Sequence, residues 1–220
     1  MKKIGLLIIF VLLLTGCSVK YNSVINEDLS VSEEAKLTGT TEFFSNYYKT
    51  TKANVLRDNL NVYKDILDEN NYKYELIEEE TPYIIVSNTY SKVSDYIDKS
   101  LLFNNYFDEI KYTENGDIKR IETIGYNANN PDDPNRFNVK KLEISFKCPF
   151  AVKEHNATSV DERNNIYYYE LTPENDYKII FEYDISKKYN PNKRMIETII
   201  MCVAVVIVTW IAIIINKKNK

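Results

Sequence analysis

The sequence predicts an α+β fold: a mostly antiparallel sheet with one long and one short helix packed on it, followed by a C-terminal transmembrane helix. Three observations carry that expectation. Alternating segments follow one another through the second half of the chain, whereas helical periods separate the strands of the first half, the pattern of an antiparallel sheet with segregated helices. Asn115-Gly116 between two alternating runs is a strong hairpin signal. Near the end, residues 198–215 read TIIMCVAVVIVTWIAIII, eighteen residues without a charge.

The chain opens on Lys2, Lys3 and an apolar run from Ile4 to Leu14, closed by Leu14-Thr15-Gly16-Cys17. A basic start, a short apolar segment and a small-residue cut site make a secretory signal peptide, and the run falls short of the ~20 residues a spanning helix needs. Leu14-Thr15-Gly16-Cys17 resembles the lipobox of bacterial lipoproteins. That resemblance implies removal of residues 1–16 and a diacylglycerol on the thiol of Cys17, the one modification site assigned from the sequence.

The elements follow in order. Val19 to Ile25 and Leu29 to Leu37 alternate around Asn26-Glu27-Asp28, which reads as a hairpin starting at the acylated residue. Thr41 can cap a long helix whose Phe44, Tyr48, Val55, Leu56, Leu60, Tyr63 and Leu67 fall on one side. Tyr72 to Glu78 and Tyr83 to Tyr90 are strands. Ser91 begins a short helix with Val93, Tyr96, Ile97 and Leu101 inward. Phe107 to Thr113 and Asp117 to Gly125 flank the turn Glu114-Asn115-Gly116. The loop Tyr126 to Arg136, rich in Asn, Asp and Pro, lacks the spaced acids and glycine of a calcium loop and reads as a solvated turn. Phe137 to Lys147 alternates, Cys148-Pro149-Phe150 interrupts, and Ala151 to Val160 continues. Ile166 to Leu171 and Tyr177 to Ile185 read as the last pair of strands.

At 1.5 Å per residue the uncharged run 198–215 spans ~27 Å, close to the hydrocarbon thickness of a bilayer. Basic residues flank it on both sides, so loop charge orients it poorly. The signal peptide supplies the orientation: a translocated domain followed by a stop-transfer segment leaves residues 216–220 in the cytoplasm. The expected organisation is a cleaved leader (1–16), an extracytoplasmic domain (17–190), a linker (191–197), a transmembrane helix (198–215) and a cytoplasmic tail (216–220). Localisation is then the cell membrane, lipid-anchored and single-pass.

Setting the termini aside leaves 21 basic and 31 acidic residues in the domain, a net charge of about −10. A domain of that sign is repelled by nucleic acid and by anionic headgroups, both of which need a basic face. Cys17 belongs to the lipobox and Cys202 to the apolar tail, so Cys148 stands alone in the domain and no disulfide framework or zinc pattern arises. His155 is the only histidine. A Cys148–His155 pair would need both side chains on one face, and seven residues of alternation with Pro149 between them oppose it. No GxSxG, HExxH or phosphate loop occurs. No catalytic, cofactor or metal residue is assigned. Tyr167-Tyr168-Tyr169 must either expose a ring on one face of its strand, where a sugar could stack, or be covered on both faces as part of sheet packing.

The order of lipobox, hairpin VINEDLSVSEEAKLTG, helix, the stretch FKCPFAVKEHNATSVDERNNIYYYEL, linker and terminal helix resembles bacterial lipoproteins with an LppM-type domain. Tyr168 and Tyr169 stand where members often carry Trp, and Asp161-Glu162-Arg163-Asn164-Asn165 where they carry glycine-rich turns. The resemblance implies an α+β sandwich, similar to some lipid-headgroup-binding domains, and non-enzymatic work at the cell envelope. Headgroup binding is not carried over, because the domain is acidic. The leading expectation is a doubly anchored envelope lipoprotein whose domain binds a membrane-protein or cell-envelope partner without turnover. A carboxylate-dependent envelope hydrolase or a structural spacer are the alternatives.

Overall fold

Alternation in sequence becomes two stacked sheets in the computed structural model, which describes residues 17–39, 51–126, 141–172, 178–192 and 200–205. The chain divides into two units, one ending at Tyr189 and the other starting at Asn190. In the second, residues 200–205 are helical. Among the described residues no helix is long and apolar enough to cross a membrane. Most of the run 198–215 lies outside the described residues, as do the leader 1–16, the Thr41 cap and most of the loop Tyr126 to Arg136.

The first unit holds the strands β1 (Cys17–Ile25), β2 (Val31–Gly39), β3 (Lys73–Ile77), β4 (Tyr83–Tyr90), β5 (Phe107–Asn115), β6 (Ile118–Tyr126), β7 (Lys141–Lys147), β8 (Phe150–His155), β9 (Ser159–Asp161), β10 (Ile166–Leu171) and β11 (Ile180–Lys188). Its helices are α1 (Lys52–Glu69), α2 (Val93–Lys99) and α3 (Leu101–Asn104). One sheet has seven strands in the order β3-β4-β2-β1-β7-β10-β9, and the other has four, β5-β6-β11-β8. Every pairing is antiparallel except β1 with β7. The chain is therefore α+β and mostly antiparallel, as its patterning implies.

Period-2 alternation sets the inner face. Val19, Tyr21, Ser23 and Ile25 of β1 stand opposite Leu37, Ala35, Glu33 and Val31 of β2, and all eight are buried. Leu142, Ile144 and Phe146 of β7 and Tyr167, Tyr169 and Leu171 of β10 extend that face. Over β7 and β10 it meets the four-stranded sheet through Phe146 stacked on Phe181, ring centres 5.1 Å apart, and through the Tyr169 hydroxyl, which donates to Ile180 O at 3.0 Å. Over β1, β2 and β4 it meets the helices. α1 is capped by Thr51, whose hydroxyl accepts from Asn54 N, and it buries Val55, Leu56, Leu60, Tyr63 and Leu67 as its periodicity requires.

The expectations change in several places. The long helix does not run unbroken from Thr41, because Thr51 is extended (ψ 153°) and caps a helix that starts at Lys52. The single short helix is two, because Ser100 between them is extended (φ −63°, ψ 113°); its hydroxyl caps α3 by accepting from Phe103 N while donating into the core. The β5–β6 turn shifts by one residue: Asn115 pairs with Ile118 inside the ladder, and Gly116-Asp117 makes the turn. Gly116 takes φ +58° and Asp117 a negative φ, the pattern of a type II′ turn. The last two strands are not a pair, since β10 sits between β7 and β9 while β11 joins β6 and β8. Likewise the segment Ala151 to Val160 splits between sheets. The crossing at Cys148-Pro149 is clamped by Asn165, which sits at φ 54° and donates its amide to Cys148 O at 2.5 Å and Phe150 O at 2.9 Å.

Candidate binding site

Two groups of polar residues lie back to back across β1, β2 and β4. The inner group centres on Glu33, which is 2% exposed. Its Oε1 accepts from the hydroxyls of Tyr72 (2.7 Å) and Tyr90 (2.6 Å), and its Oε2 from Tyr21 (2.5 Å) and Ser100 (2.6 Å). A carboxylate offers about four acceptor positions, and four hydroxyls fill them. Each of those hydroxyl oxygens is met by a further donor. Tyr21 has Tyr96 OH at 2.9 Å, Tyr72 has Leu101 N at 3.0 Å, Tyr90 has Asn88 Nδ2 at 3.3 Å, and Ser100 has Phe103 N at 2.9 Å. Burial comes first, and the Glu33 carboxylate second, in pushing the hydroxyls of Tyr72, Tyr90 and Tyr96 above the ordinary tyrosine range. Tyr21 is raised by burial, by Tyr96 and by Glu33. The group is closed to solvent, so it can hold β1, β2, β4, α2 and α3 in register but cannot meet a ligand.

The outer group is open. Opposite the inward residues, Asn22 and Val24 of β1 and Ser32 and Glu34 of β2 line the outer face along with Ser87 and Thr89 of β4, Lys73 of β3, Lys147 and the buried Ser145 of β7, and Ile166 and Tyr168 of β10. Together they form a concave trough of about 650 Å³. Cross-strand register places Lys73, Ser87, Glu34, Asn22, Ser145 and Tyr168 in one row across six strands. Ser145 Oγ donates to Asn22 Oδ1 at 2.7 Å. Tyr168 is 40% exposed, whereas Tyr167 and Tyr169 on either side of it are buried, so of the two outcomes open to the triple tyrosine the strand takes the one that exposes a ring. Among the described residues, Lys73, Lys147 and Glu34 make no ion pair with one another or with any neighbour. The trough thus offers hydroxyl and amide hydrogen bonds, one aromatic face, two cations and one carboxylate.

The remaining residues singled out in the sequence fall elsewhere. Cys17 is the first residue of β1, a strand inside the seven-stranded sheet. Cys148 is buried, and burial pushes its thiol up to about 12, so it is a core residue rather than a nucleophile. His155 is exposed, its ring 4.8 Å from that of Tyr167 and its Nδ1 accepting from Ala157 N at 3.3 Å. On the outer face of the other sheet, Arg120 bridges Glu122 (3.2 Å), Glu154 (2.6 Å) and Glu182 (3.1 Å), tying β6, β8 and β11 together. Among the described residues no group of three His, Cys, Asp or Glu side chains could hold a metal ion.

The sequence reasoning missed the Glu33 group, and the signal for it was present. Val31, Ala35 and Leu37 mark the inward phase of β2, and Glu33 shares it.

No family model matches the sequence, and no curated protein does. Among solved structures the chain is similar to the NMR structure of the folded domain of the Mycobacterium tuberculosis LppM protein. The two are 14% identical; the match covers 80% of this chain and 92% of that one, with a TM-score of 0.51. The domain therefore has an LppM-type fold.

Proposed function

We propose that the chain is a non-enzymatic lipoprotein of the cell envelope, held by a diacylglycerol on Cys17 and by a membrane-spanning helix over residues 198–215, whose domain binds an envelope component in the trough. The observation that carries this reading is the trough itself: a concave sheet face that, among the described residues, is open and carries unpaired charges and an exposed ring, on strands whose other face is packed solid. Concave surfaces with a few convergent polar groups are where ligands bind. Glycoside hydrolysis would need two carboxylates facing one another across the ligand, and the outward row of the trough offers Glu34 alone among the described residues. The lipid anchor is supported by the lipobox Leu14-Thr15-Gly16-Cys17.

A photoreactive side chain in place of Thr89, at the rim of the trough, tests the reading in intact cells. It should crosslink to an envelope component that the same group in place of Thr113, on the four-stranded sheet, does not capture. Equal capture at the two positions, or none at either, would contradict the reading.

A further inference from the structure

The trough has a position and a chemistry that narrow its ligand. Asn22 and Val24, on its floor, lie five and seven residues along β1 from Cys17. At ~3.4 Å per residue that is roughly 17 to 24 Å of extended strand. A headgroup layer is only about 5 to 8 Å deep, half the difference between the full bilayer and its hydrocarbon core. A domain anchored through Cys17 and standing on β1 therefore holds the trough beyond the headgroups of its own membrane.

Along the other axis, the row from Lys73 on β3 to Tyr168 on β10 crosses five inter-strand gaps, roughly 24 Å at ~4.8 Å each. Its ligand is elongated and runs across the strands. The row sets Lys73 and Glu34 among the neutral hydrogen-bonding groups Ser87, Asn22 and Ser145 and ends on a tyrosine ring held on a strand anchored by its buried neighbours. An acyl chain would need an enclosed apolar slot, and the trough is open, with Val24 and Ile166 its aliphatic side chains. A peptide added by strand pairing would use the sheet edges β3 and β9, not the floor. A polyanion charged at every unit would outnumber the two lysines, which Glu34 opposes on a domain of about −10. Rings with apolar faces and polar rims fit the whole row.

We infer that the trough binds a linear glycan of the cell wall laid across the strands. One sugar stacks on Tyr168, and Asn22 and Ser145 hydrogen-bond the chain at its centre. Lys73 and Lys147 lie where anionic substituents of the glycan would fall. This inference rests on the envelope-binding reading and adds the ligand class to it.

The test is calorimetric titration of the full chain in detergent micelles. The probes are peptide-free glycan strands of four to six alternating N-acetylated amino sugars, with the carboxylate on every second ring, and a chitin oligosaccharide of equal length as the neutral comparison. Saturable binding of the glycan strand is expected. Tyr168→Ala should weaken it about tenfold, and Tyr168→Phe by no more than about twofold, since stacking and not the hydroxyl is used. Tyr168 is exposed, so both variants should keep the circular dichroism of the parent. Changing Lys73 and Lys147 together to Gln should weaken the carboxylate-bearing strand more than the chitin oligosaccharide. Absence of binding at millimolar glycan overturns the inference. So does binding indifferent to Tyr168→Ala, or saturable binding to phosphatidylglycerol vesicles in place of the glycan. If glycans fail while the crosslink from position 89 still captures an envelope component, the ligand class is wrong and the envelope reading stands; if both fail, both are wrong.

Discussion

Glu33 presents one buried carboxylate to four hydroxyls, with no cation among its hydrogen-bond partners. Its worth to the fold is the cost of leaving those hydroxyls without acceptors. Glu33→Gln keeps the shape but turns an –NH2 toward two donors, and it should cost about 3 kcal/mol, read as a lowered urea midpoint at unchanged slope. The tyrosines around it give a pH dependence whose sign is fixed by their upward shifts. Unfolded tyrosine titrates near ~10, and Tyr21 and Tyr96 hold their protons well above that in the folded chain. Their contribution is complete below about pH 10 and falls as pH rises past it, because the unfolded chain then releases protons the native one keeps. Alkaline titration should show the last tyrosinate absorbance appearing together with loss of far-ultraviolet circular dichroism. Reversible ionisation of all 18 tyrosines in a chain that stays folded would contradict the network. At this scale the sequence was half legible. The phase of β2 places Glu33 inside, but its partners come from β1, β4, the residue that caps α3 and the residue before β3, and local pattern says nothing of such distant neighbours. Tyr168 was legible as one of three rings that could not all be buried on one face, whereas the trough around it depends on which strands stand side by side.

Elements were legible where their signals are local. The hairpin β1–β2, the buried stripe of α1 and the strand Tyr83–Tyr90 follow from period and turn chemistry alone. Pairing was not, because alternation fixes a strand's face and leaves its neighbour open. β10 and β11 follow one another in sequence and enter different sheets, and β1 finds β7 in parallel across more than a hundred residues. Turn position was misplaced by one residue at β5–β6, since Gly116 suits the first position of a type II′ turn as well as the second of a type I′ turn. The same hairpin yields a paired prediction. Gly125 sits at φ +64° with the Asp108 side chain where a Cβ would stand, its Cγ 2.8 Å away, while Gly116 at φ +58° faces open space. Gly116→Ala should cost about 1 kcal/mol from backbone strain, and Gly125→Ala about 2 to 3 kcal/mol because overlap adds to strain. Equal thermal midpoints for the two variants would show that Asp108 swings clear.

The whole molecule joins an LppM-type fold to the membrane elements that the sequence proposes at its two ends. The fold makes the N-terminal element consequential: β1 begins at Cys17 in the interior of the seven-stranded sheet, so an anchor there would act on the sheet directly and set which way the trough points. All of this requires the leader to be removed at Cys17 and the thiol to carry lipid. Intact-mass and N-terminal peptide spectrometry of the protein purified from its native membrane tests that requirement directly. The account predicts a chain that starts at Cys17 and carries a diacylglyceryl thioether. A chain that retains residues 1–16 with an unmodified Cys17 would contradict it.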